Sequence, residues 1–435
     1  MNAKACVLGA GTWSDRRMPI EVLTCGTDHR QKGRPATHNL GMTEAETRVS
    51  DWSPLAPDDD KTYGRTFTEL RKTCPVAWSE DFGGFWALLK HDDIVSACKE
   101  PGTFSSAPQF TVPHLDLGFP WLPLQSDPPQ HQTYKSPLLP FLSKPKVTEL
   151  VPRLRELALD LLEPLRGRTS FDASAEFAQP FAGEALCLAL RLPEENWAEF
   201  RRWTSDIARA FSEGNLQLIL DVSNSVAEYV KREAEARAAN PGDDLMSALL
   251  ATSVEGRELT HAELHGYYML LTSAGHDTSA NSLGHALNHL GHHPEHRARL
   301  IDDPSLTPGA VEEIIRFYGP LIGLGRRAVQ DVEVGDRQIK AGEQVALVWA
   351  SAARDEDQFD RANEFILDRP PTRNVSFGFG AHYCIGADLG RTQIRVAIGE
   401  FLKAFPNFHV SGDIERTIWP TQGIRSLPVV VDRTG

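Results

Sequence analysis

The sequence predicts a mainly α-helical fold with small β-sheets. From about residue 60 onward, apolar residues recur three and four positions apart, which is the spacing of one face of a helix. Strand-like runs are short, as at residues 85–89, 338–339 and 345–348. With 41% hydrophobic and 24% charged residues, the chain resembles an ordinary globular protein. A chain of 435 residues is long enough for two or three domains, but one large helical domain remains possible.

Several helices can be predicted individually from this spacing. Four segments show it clearly, namely residues 146–165, 172–190, 194–211 and 216–239. Thr260 and Glu263 form a capping box, and the apolar face that follows continues to about Leu290. This predicts one helix about 45 Å long at 1.5 Å per residue. Residues 274–279, at its centre, are small and polar. A glycine there lowers helix stability by about 1 kcal/mol relative to alanine, so the choice of these residues needs a reason other than helix stability.

Charge and composition exclude some classes of protein. The formal net charge of −14 argues against a nucleic-acid partner, because such binding depends on clustered Lys and Arg. No run approaches the roughly 20 apolar residues that cross a bilayer, so no membrane association is expected. The six cysteines contain no CxxC pair. These features favour a cytoplasmic location.

Residues 1–41 differ from the rest of the chain. They carry six Lys or Arg against three Asp or Glu and show neither helical nor strand periodicity. A second methionine, Met42, follows them. We interpret this segment as a disordered extension or a misassigned start.

Residues 377–391 place Cys384 among four glycines, directly before a predicted helix that reaches Phe401. Glycines let backbone amides approach a ligand atom, and a helix N-terminus stabilises a nearby anion. We therefore expect the Cys384 thiol to ionise easily. A thiolate of this kind serves either as a covalent nucleophile or as a metal ligand, and the local sequence leaves both roles open.

This loop resembles the haem-binding loop of the cytochrome P-450 family, Phe-Gly-x-Gly-x-His-x-Cys-x-Gly, at every defined position. The resemblance implies the P-450 fold and a monooxygenase that oxidises a small hydrophobic substrate with dioxygen and two electrons. It further implies that Cys384 is the axial ligand of the iron of haem b (iron protoporphyrin IX). Phe377 would pack near the sulfur, His382 would bond a haem propionate, and Gly386 would complete the cofactor-binding loop.

Three further segments match the family in the expected order, so the resemblance extends from residue 52 to the C-terminus. The first is the Glu-x-x-Arg pair of Glu313 and Arg316. In isolation such a pair is commonest on a solvated helix face. The resemblance implies instead a buried charge network of these two residues with Arg369, which braces the haem face.

The second segment is the centre of the long predicted helix, which is similar to the oxygen-activating motif of the family. The resemblance implies that Thr278 contacts the reacting oxygen and that Asp277 passes protons inward, in a site that excludes water. The family often has an acidic residue at the position of His276.

The third segment, residues 127–131, resembles the start of a helix behind the haem. The resemblance implies that His131 and Arg326 neutralise the haem propionates. Four residues after the histidine the family usually has Arg. This chain has Lys135, which keeps the charge of that cofactor contact but loses the bidentate geometry.

The substrate pocket is predicted from the variable recognition segments of the family. Seven residues are expected to line it: Phe110, Trp121, Leu271, Ala274, Leu321, Ile322 and Ile424. Residues 104–129 form a long loop rich in Pro, Phe and Trp, which is typical of a binding segment. Within it, residues 119–123 are somewhat similar to the camphor-hydroxylase-like branch, which favours a terpenoid or a small aromatic substrate.

The resemblance also implies a single haem domain over residues 42–435, which leaves no room for a reductase domain, so a separate redox partner is expected. Electrons would come from a ferredoxin and a ferredoxin reductase, as in bacterial, soluble, three-component systems. A basic docking patch is expected near Cys384, from Lys144, Lys146 and Arg373. Two alternatives of the same fold stay open: a peroxide-driven peroxygenase, and a non-catalytic haem-thiolate sensor or carrier.

Histidines are frequent along the long helix and beyond it. His285 and His289 lie four apart, a spacing that can chelate zinc or nickel. No Glu lies between them as in HExxH, so we interpret these histidines as a solvated polar face.

Overall fold

The computed structural model describes residues 50–55, 63–372, 374–417 and 419–432. Helices dominate this part of the chain and the strands are short, which agrees with the predicted class. The helices are α1 (Gly64–Thr73), α2 (His91–Lys99), α3 (Gln130–Lys135), α4 (Leu139–Leu142), α5 (Lys144–Glu149), α6 (Val151–Leu162), α7 (Gln179–Ala189), α8 (Trp197–Glu213), α9 (Leu216–Ala239), α10 (Leu245–Leu250), α11 (His261–Ala274), α12 (Asp277–His292), α13 (Pro294–Asp302), α14 (Thr307–Tyr318), α15 (Trp349–Ala352) and α16 (Ala387–Ala404). The predicted extension at residues 1–41 lies outside the described residues.

The strands are β1 (Val76–Ser79), β2 (Phe85–Leu88), β3 (Phe104–Ser105), β4 (Ser170–Asp172), β5 (Ser253–Val254), β6 (Arg257–Glu258), β7 (Leu324–Ala328), β8 (Val332–Val334), β9 (Arg337–Ile339), β10 (Gln344–Leu347), β11 (Phe408–Val410), β12 (Glu415–Arg416), β13 (Ile424–Ser426) and β14 (Pro428–Val431). Among them, β2, β9 and β10 confirm the three predicted strand runs. Five strands form one sheet in the order β1-β2-β10-β7-β3, in which only β2 and β10 pair in parallel. Both β2 and β10 are central, which explains their continuous apolar runs.

The long helix predicted from Thr260 to about Leu290 is wrong as a single element. It is divided at Gly275 and His276 into α11 and α12. A Cβ on Gly275 would lie only 2.8 Å from a methyl group of Leu186, so α7 packs tightly against this point. The ring of His276 turns away and its Nε2 lies 3.1 Å from the carbonyl oxygen of Gln179. The break is therefore set by packing against α7, which is remote in sequence.

Helix α12 runs through the interior of the protein. All residues from Ser279 to Gly291 are buried, since α7, α14 and α16 and the strands β11 and β13 pack around this helix. The interpretation of its histidines as a solvated face is therefore wrong for His285 and His289. Of the helices in the described residues, none has both the length and the apolar character needed to cross a bilayer.

Glu313 and Arg316, one turn apart on α14, form a buried ion pair. The Arg316 guanidinium donates to both carboxylate oxygens of Glu313, at 2.7 and 2.8 Å. The Nε of Arg369 donates to the same carboxylate at 2.9 Å, as does the backbone amide of Ile366 at 2.8 Å. Arg316 also donates to the carbonyl oxygen of Ala362 at 2.8 Å. The network thus holds α14 to the segment before Cys384, which has little regular structure. Backbone carbonyls outside helices and strands need hydrogen-bond partners of this kind.

Glu263 anchors the start of α11. The predicted capping box is present, because the Thr260 hydroxyl accepts from the Glu263 amide and the Glu263 carboxylate accepts from the Thr260 amide. The same buried carboxylate accepts from Arg257 and from the hydroxyl of Tyr134 on α3, at 2.8 Å. The hydrogen bond from Arg257 is the largest cause that lowers the pKa of Glu263 to about 2, against the opposing effect of burial.

We expect Glu263→Gln to lose a pH-dependent part of the stability. In the unfolded chain the glutamate titrates near ~4.3, so the ionised carboxylate stabilises the fold fully above about pH 4.5 and this contribution is lost as the pH falls through about 2. Chemical unfolding between pH 7 and 3 should show that the deficit of the variant shrinks below about pH 4.5. Glu156→Gln, at an exposed ion pair, is the control. A deficit that stays constant down to pH 3 would contradict this assignment.

Arg316→Met should destabilise the protein strongly, because it leaves the buried Glu313 with one cation fewer. Removal of one partner of a buried pair costs about 3–5 kcal/mol. Arg299→Met is the matched control, since Arg299 pairs with Asp368 at the surface, where about 0–1 kcal/mol is expected. Unfolding free energies of the haem-loaded variants measure both effects. Equal losses in the two variants would rule out a structural role of the buried network.

Candidate active site

A cavity of about 240 Å³ is lined by Cys384 and by Thr278 of α12. Only about 10–15 Å³ is needed for one water molecule, so the cavity holds a much larger guest. Its wall is mainly aliphatic and aromatic, with a few polar side chains. The residue expected to bind the iron and the residue expected to contact the reacting oxygen thus line one cavity.

The loop that carries Cys384 is shaped by its glycines. Gly378 and Gly380 adopt φ values of 75° and 69°, the left-handed region that glycine tolerates best. The backbone amide of Cys384 donates to the carbonyl of Phe377 at 2.8 Å, and α16 begins three residues later. The thiol therefore lies at the N-terminal end of α16, as predicted, and opens to the cavity.

The expectation that the thiol ionises easily is not met by its surroundings. Enclosure by protein raises the pKa of Cys384, and the amide of Gly386 with the nearby Lys135 and Arg391 offsets this only in part. The thiolate is the reactive form of a cysteine, and a bound metal cation would deprotonate the thiol outright. The geometry of the cysteine loop is compatible with both roles, so the groups around the cavity have to distinguish them.

Helix α3 carries two of the predicted cofactor residues, His131 and Lys135, one turn apart. The Nζ of Lys135 donates to the carbonyls of Ala381 and Tyr383, at 2.8 Å each. Its ammonium therefore holds the cysteine loop in place, a role that the family comparison with an arginine did not suggest. His131 is buried on the same face of α3 and lines the cavity.

His131, His382 and Arg326 form a cluster at the edge of the cavity. The two imidazole rings lie 4.1 Å apart, and burial is the main reason why their pKa values fall, to about 4 for His131 and about 2 for His382. Both ring nitrogens of His382 are buried without a hydrogen-bond partner in the described part of the chain. Arg326, on β7, is 3% exposed and donates to the carbonyl of its neighbour Gly325.

This cluster fits a cofactor that brings its own negative charges. No carboxylate of the described residues forms an ion pair with Arg326, although a buried unpaired cation is costly. The carboxylate of Asp127 already accepts from the Ser106 amide at 2.9 Å and from the hydroxyl of Ser105. Haem b has two propionates and an iron that takes a thiolate, so the donor set of the cavity fits it.

Thr278 lines the cavity, whereas its neighbour Asp277 does not. The Thr278 hydroxyl donates to the carbonyl of Ala274 at 3.0 Å, across the break between α11 and α12, and the residue lines the cavity. Asp277 lies behind this wall, where its carboxylate accepts from Asn281 at 3.0 Å and bonds Thr421. Burial raises the pKa of Asp277, so it keeps its proton to higher pH than an exposed aspartate.

The structure places three of the seven predicted pocket residues at the cavity, namely Leu271, Ala274 and Leu321. The other four pack elsewhere within the described residues. Phe110 and Trp121 pack on each other with ring centroids 5.6 Å apart. Ile322 is buried beside the five-stranded sheet, and Ile424 packs over Gly284. Phe377 and Gly386 line the cavity as well.

Sequence reasoning missed several residues of this site. Arg391, on α16, stacks its guanidinium 4.3 Å from the Phe377 ring centroid and pairs with Glu312. Gln393, also on α16, donates to the hydroxyl of Ser279 across the cavity wall. Leu186 of α7 completes the aliphatic wall. The position of Arg391 one turn into the helix after Cys384 was the only available signal.

Comparisons with known proteins agree with this site. The family model described as Cytochrome P450 matches residues 203–428. A methyl-branched lipid omega-hydroxylase of Mycobacterium tuberculosis is 31% identical over 86% of this chain and 92% of the relative. Linalool 8-monooxygenase of Pseudomonas putida is 30% identical over 76% of this chain and 86% of the relative. The structure of Mycobacterium marinum cytochrome P450 CYP268A2 in complex with pseudoionone has a TM-score of 0.80 and 27% identity, and covers 89% of this chain and 100% of that chain.

These relatives confirm the predicted fold, the cofactor haem b and the monooxygenase class. The family match spans more than half of the chain, and the relatives at 30% identity or more are covered over most of their length. These two relatives are named as a hydroxylase and a monooxygenase, which favours a monooxygenase over a peroxygenase and over a non-catalytic sensor or carrier. The chain with Cys384 at its cavity therefore belongs to the cytochrome P450 family, as a bacterial haem-thiolate monooxygenase.

Proposed function

We propose that this P450 oxidises a small branched apolar substrate, with Asp277 and Thr278 as its proton-delivery residues and a ferredoxin-type protein as its electron donor. The single observation that carries the proposal is that Cys384 and Thr278 line the same cavity. Haem b held by Cys384 supplies dioxygen activation, which thiolate donation favours. All of this would take place in the cytoplasm.

The polar contacts of Thr278 support its role. Its hydroxyl proton is directed to the carbonyl of Ala274, so the oxygen presents a lone pair towards the cavity. That oxygen can accept a proton-bearing group and orient it. Burial raises the pKa of the neighbouring Asp277, and Asn281 donates a hydrogen bond to its carboxylate. The pair thus places an acid of raised pKa beside an orienting hydroxyl.

His276 lies where the family often has an acid, but its contacts support a different role. Its ring is buried and bonded to the carbonyl of Gln179, and burial lowers its pKa to about 4. At neutral pH its imidazole is therefore uncharged, and the only ring proton that it carries is that of one N–H group. Proton delivery therefore rests on Asp277.

The cavity wall supports an apolar substrate. Leu270, Leu271 and Ala274 line it from α11, and Leu186 and Leu321 come from other elements. The relatives named above act on a methyl-branched lipid or on linalool, and one solved relative holds pseudoionone. Of the two substrate classes predicted from the sequence, these names favour a branched terpenoid over an aromatic compound.

The electron donor remains inferred from the family. Of the three residues expected in a basic docking patch, Lys144 and Lys146 lie on α5, and Lys146 pairs with Glu149 at 2.9 Å. Arg373 lies outside the described residues. Lys135, beside Cys384, is engaged with the cysteine loop. On α5, Lys144 is exposed and would be the lysine available to a ferredoxin-type partner.

Replacement of Thr278 by Ala should uncouple the enzyme. Without the hydroxyl, protons reach the reacting oxygen less selectively, so product formed per dioxygen consumed should fall by roughly tenfold or more while hydrogen peroxide rises. Thr272→Ala is the matched control, because its hydroxyl also donates to a carbonyl four residues back, at 2.7 Å, but lies outside the cavity wall. The carbon monoxide spectrum of each variant verifies an intact haem-thiolate centre. Unchanged coupling in Thr278→Ala would contradict the proposal.

Arg326→Met should weaken haem retention, since Arg326 is proposed to bond a propionate together with His131 and His382. A hydrogen bond to a charged group contributes ~1.5–3 kcal/mol, which predicts at least a roughly tenfold faster haem loss. Transfer of haem to apomyoglobin measures the rate. Arg327→Met is the control, because the adjacent Arg327 donates to the Gly342 carbonyl instead. If both variants release haem at the same rate, Arg326 does not hold the cofactor.

A further inference from the structure

Three imidazole rings meet where α12 ends and α13 begins. His289, His293 and His296 each offer one ring nitrogen, and these atoms lie within 4.8 Å of one another. His289 is buried, whereas the other two are half-buried, so an ion can reach them from solvent. This group lies outside the residues that line the haem cavity.

Contacts of the second ring nitrogens orient two of these histidines. The Nδ1 of His293 lies 3.0 Å from the Glu295 carboxylate, and the Nδ1 of His289 lies 2.8 Å from the Tyr318 hydroxyl. Because a carboxylate only accepts, the Nδ1 of His293 carries the proton and its Nε2 keeps a lone pair. Histidines that bind metals usually have their second nitrogen bonded in this way.

The remaining contact is between two nitrogens. The Nε2 of His289 and the Nδ1 of His296 are 2.9 Å apart, so one proton is shared between them. A divalent cation can replace that proton and accept both lone pairs. With Zn–N bonds of about 2.0–2.1 Å, tetrahedral ligands are about 3.3 Å apart, so the two rings need to separate by only a few tenths of an ångström. The third ring, on the half-exposed His293, can rotate inwards.

The donor set determines which ion fits. Three neutral imidazoles with a water molecule suit late first-row divalent ions such as Zn²⁺, Ni²⁺ and Cu²⁺, whereas Mg²⁺ and Ca²⁺ require oxygen ligands. The neighbouring His292 is not part of the group, since its Nδ1 bonds the carbonyl of Asn288 at 2.9 Å. It therefore offers an internal control.

We propose that His289, His293 and His296 bind one late first-row divalent cation such as Zn²⁺, and that this ion links α12 to α13. The ion would also brace the end of α14 through Tyr318, and the segment around Phe365, whose ring centroid lies 3.8 Å from that of His289. This is the region next to the buried Glu313 network, because Ile366 bonds that carboxylate. The site is independent of the haem and of the proposed oxidation.

The test uses the haem-loaded full chain without a polyhistidine tag, freed of metal with a chelator. Calorimetric titration with ZnCl₂ should show one site per chain, and zinc should raise the thermal unfolding midpoint. His293→Ala and His296→Ala should each weaken binding at least tenfold, while His292→Ala should leave it unchanged. Tyr318→Phe, which removes only the outer contact, should weaken binding about 10–100-fold.

The proposal is overturned if the chain takes up no zinc, or if His293→Ala and His296→Ala bind zinc as the unaltered chain does. Equal weakening in His292→Ala would also overturn it, because that result indicates non-specific binding to surface histidines. Both key positions are half-exposed, and an unchanged carbon monoxide spectrum checks that the variants fold. A zinc-soaked crystal provides a second measurement: anomalous scattering should locate the ion about 2.0–2.1 Å from three imidazole nitrogens.

Discussion

Buried polar groups that lack a charged or hydrogen-bonding partner among the described residues, at the edge of the cavity that Cys384 lines, are the constraint on which the active site depends. Arg326 is buried on β7 without an ion pair to a carboxylate of the described residues, and both nitrogens of His382 lack a partner. Burial of such groups is costly unless a ligand satisfies them. Burial raises the pKa of the Cys384 thiol, and a bound metal cation would favour its ionised form. The cavity is thus incomplete as protein alone, and haem b supplies both the anions and the cation.

The rest of the fold holds this cavity in shape from several sides. The Glu313 network fixes the irregular segment that leads to the cysteine loop, because backbone carbonyls there accept from Arg316 and Arg369. Lys135 holds the loop itself through two carbonyls. Arg391 secures it from α16 by stacking on Phe377. A loop rich in glycine is flexible alone, so its position is set by these side chains.

On the opposite wall of the cavity, contacts with residues remote in sequence likewise set the break between α11 and α12. Gly275 permits close packing on α7, and His276 bonds a carbonyl at the start of that helix. Across this break the hydroxyl of Thr278 donates to the carbonyl of Ala274, and Asp277 lies half-buried behind the cavity wall. The break that costs helix stability therefore lies beside polar groups of an otherwise apolar cavity.

The sequence by itself determined the mainly α class, the cysteine loop, the capping box of α11 and the Glu313–Arg316 pair, because each is encoded by residues that are close along the chain. Only the tertiary structure decided the division of the long helix, the carbonyl contacts of Lys135 and the burial of His285. The same holds for Phe110 and Ile424, which belong to the core instead of the cavity wall. These outcomes depend on which remote side chains or carbonyls lie opposite a residue, and periodicity along one segment carries no information about them.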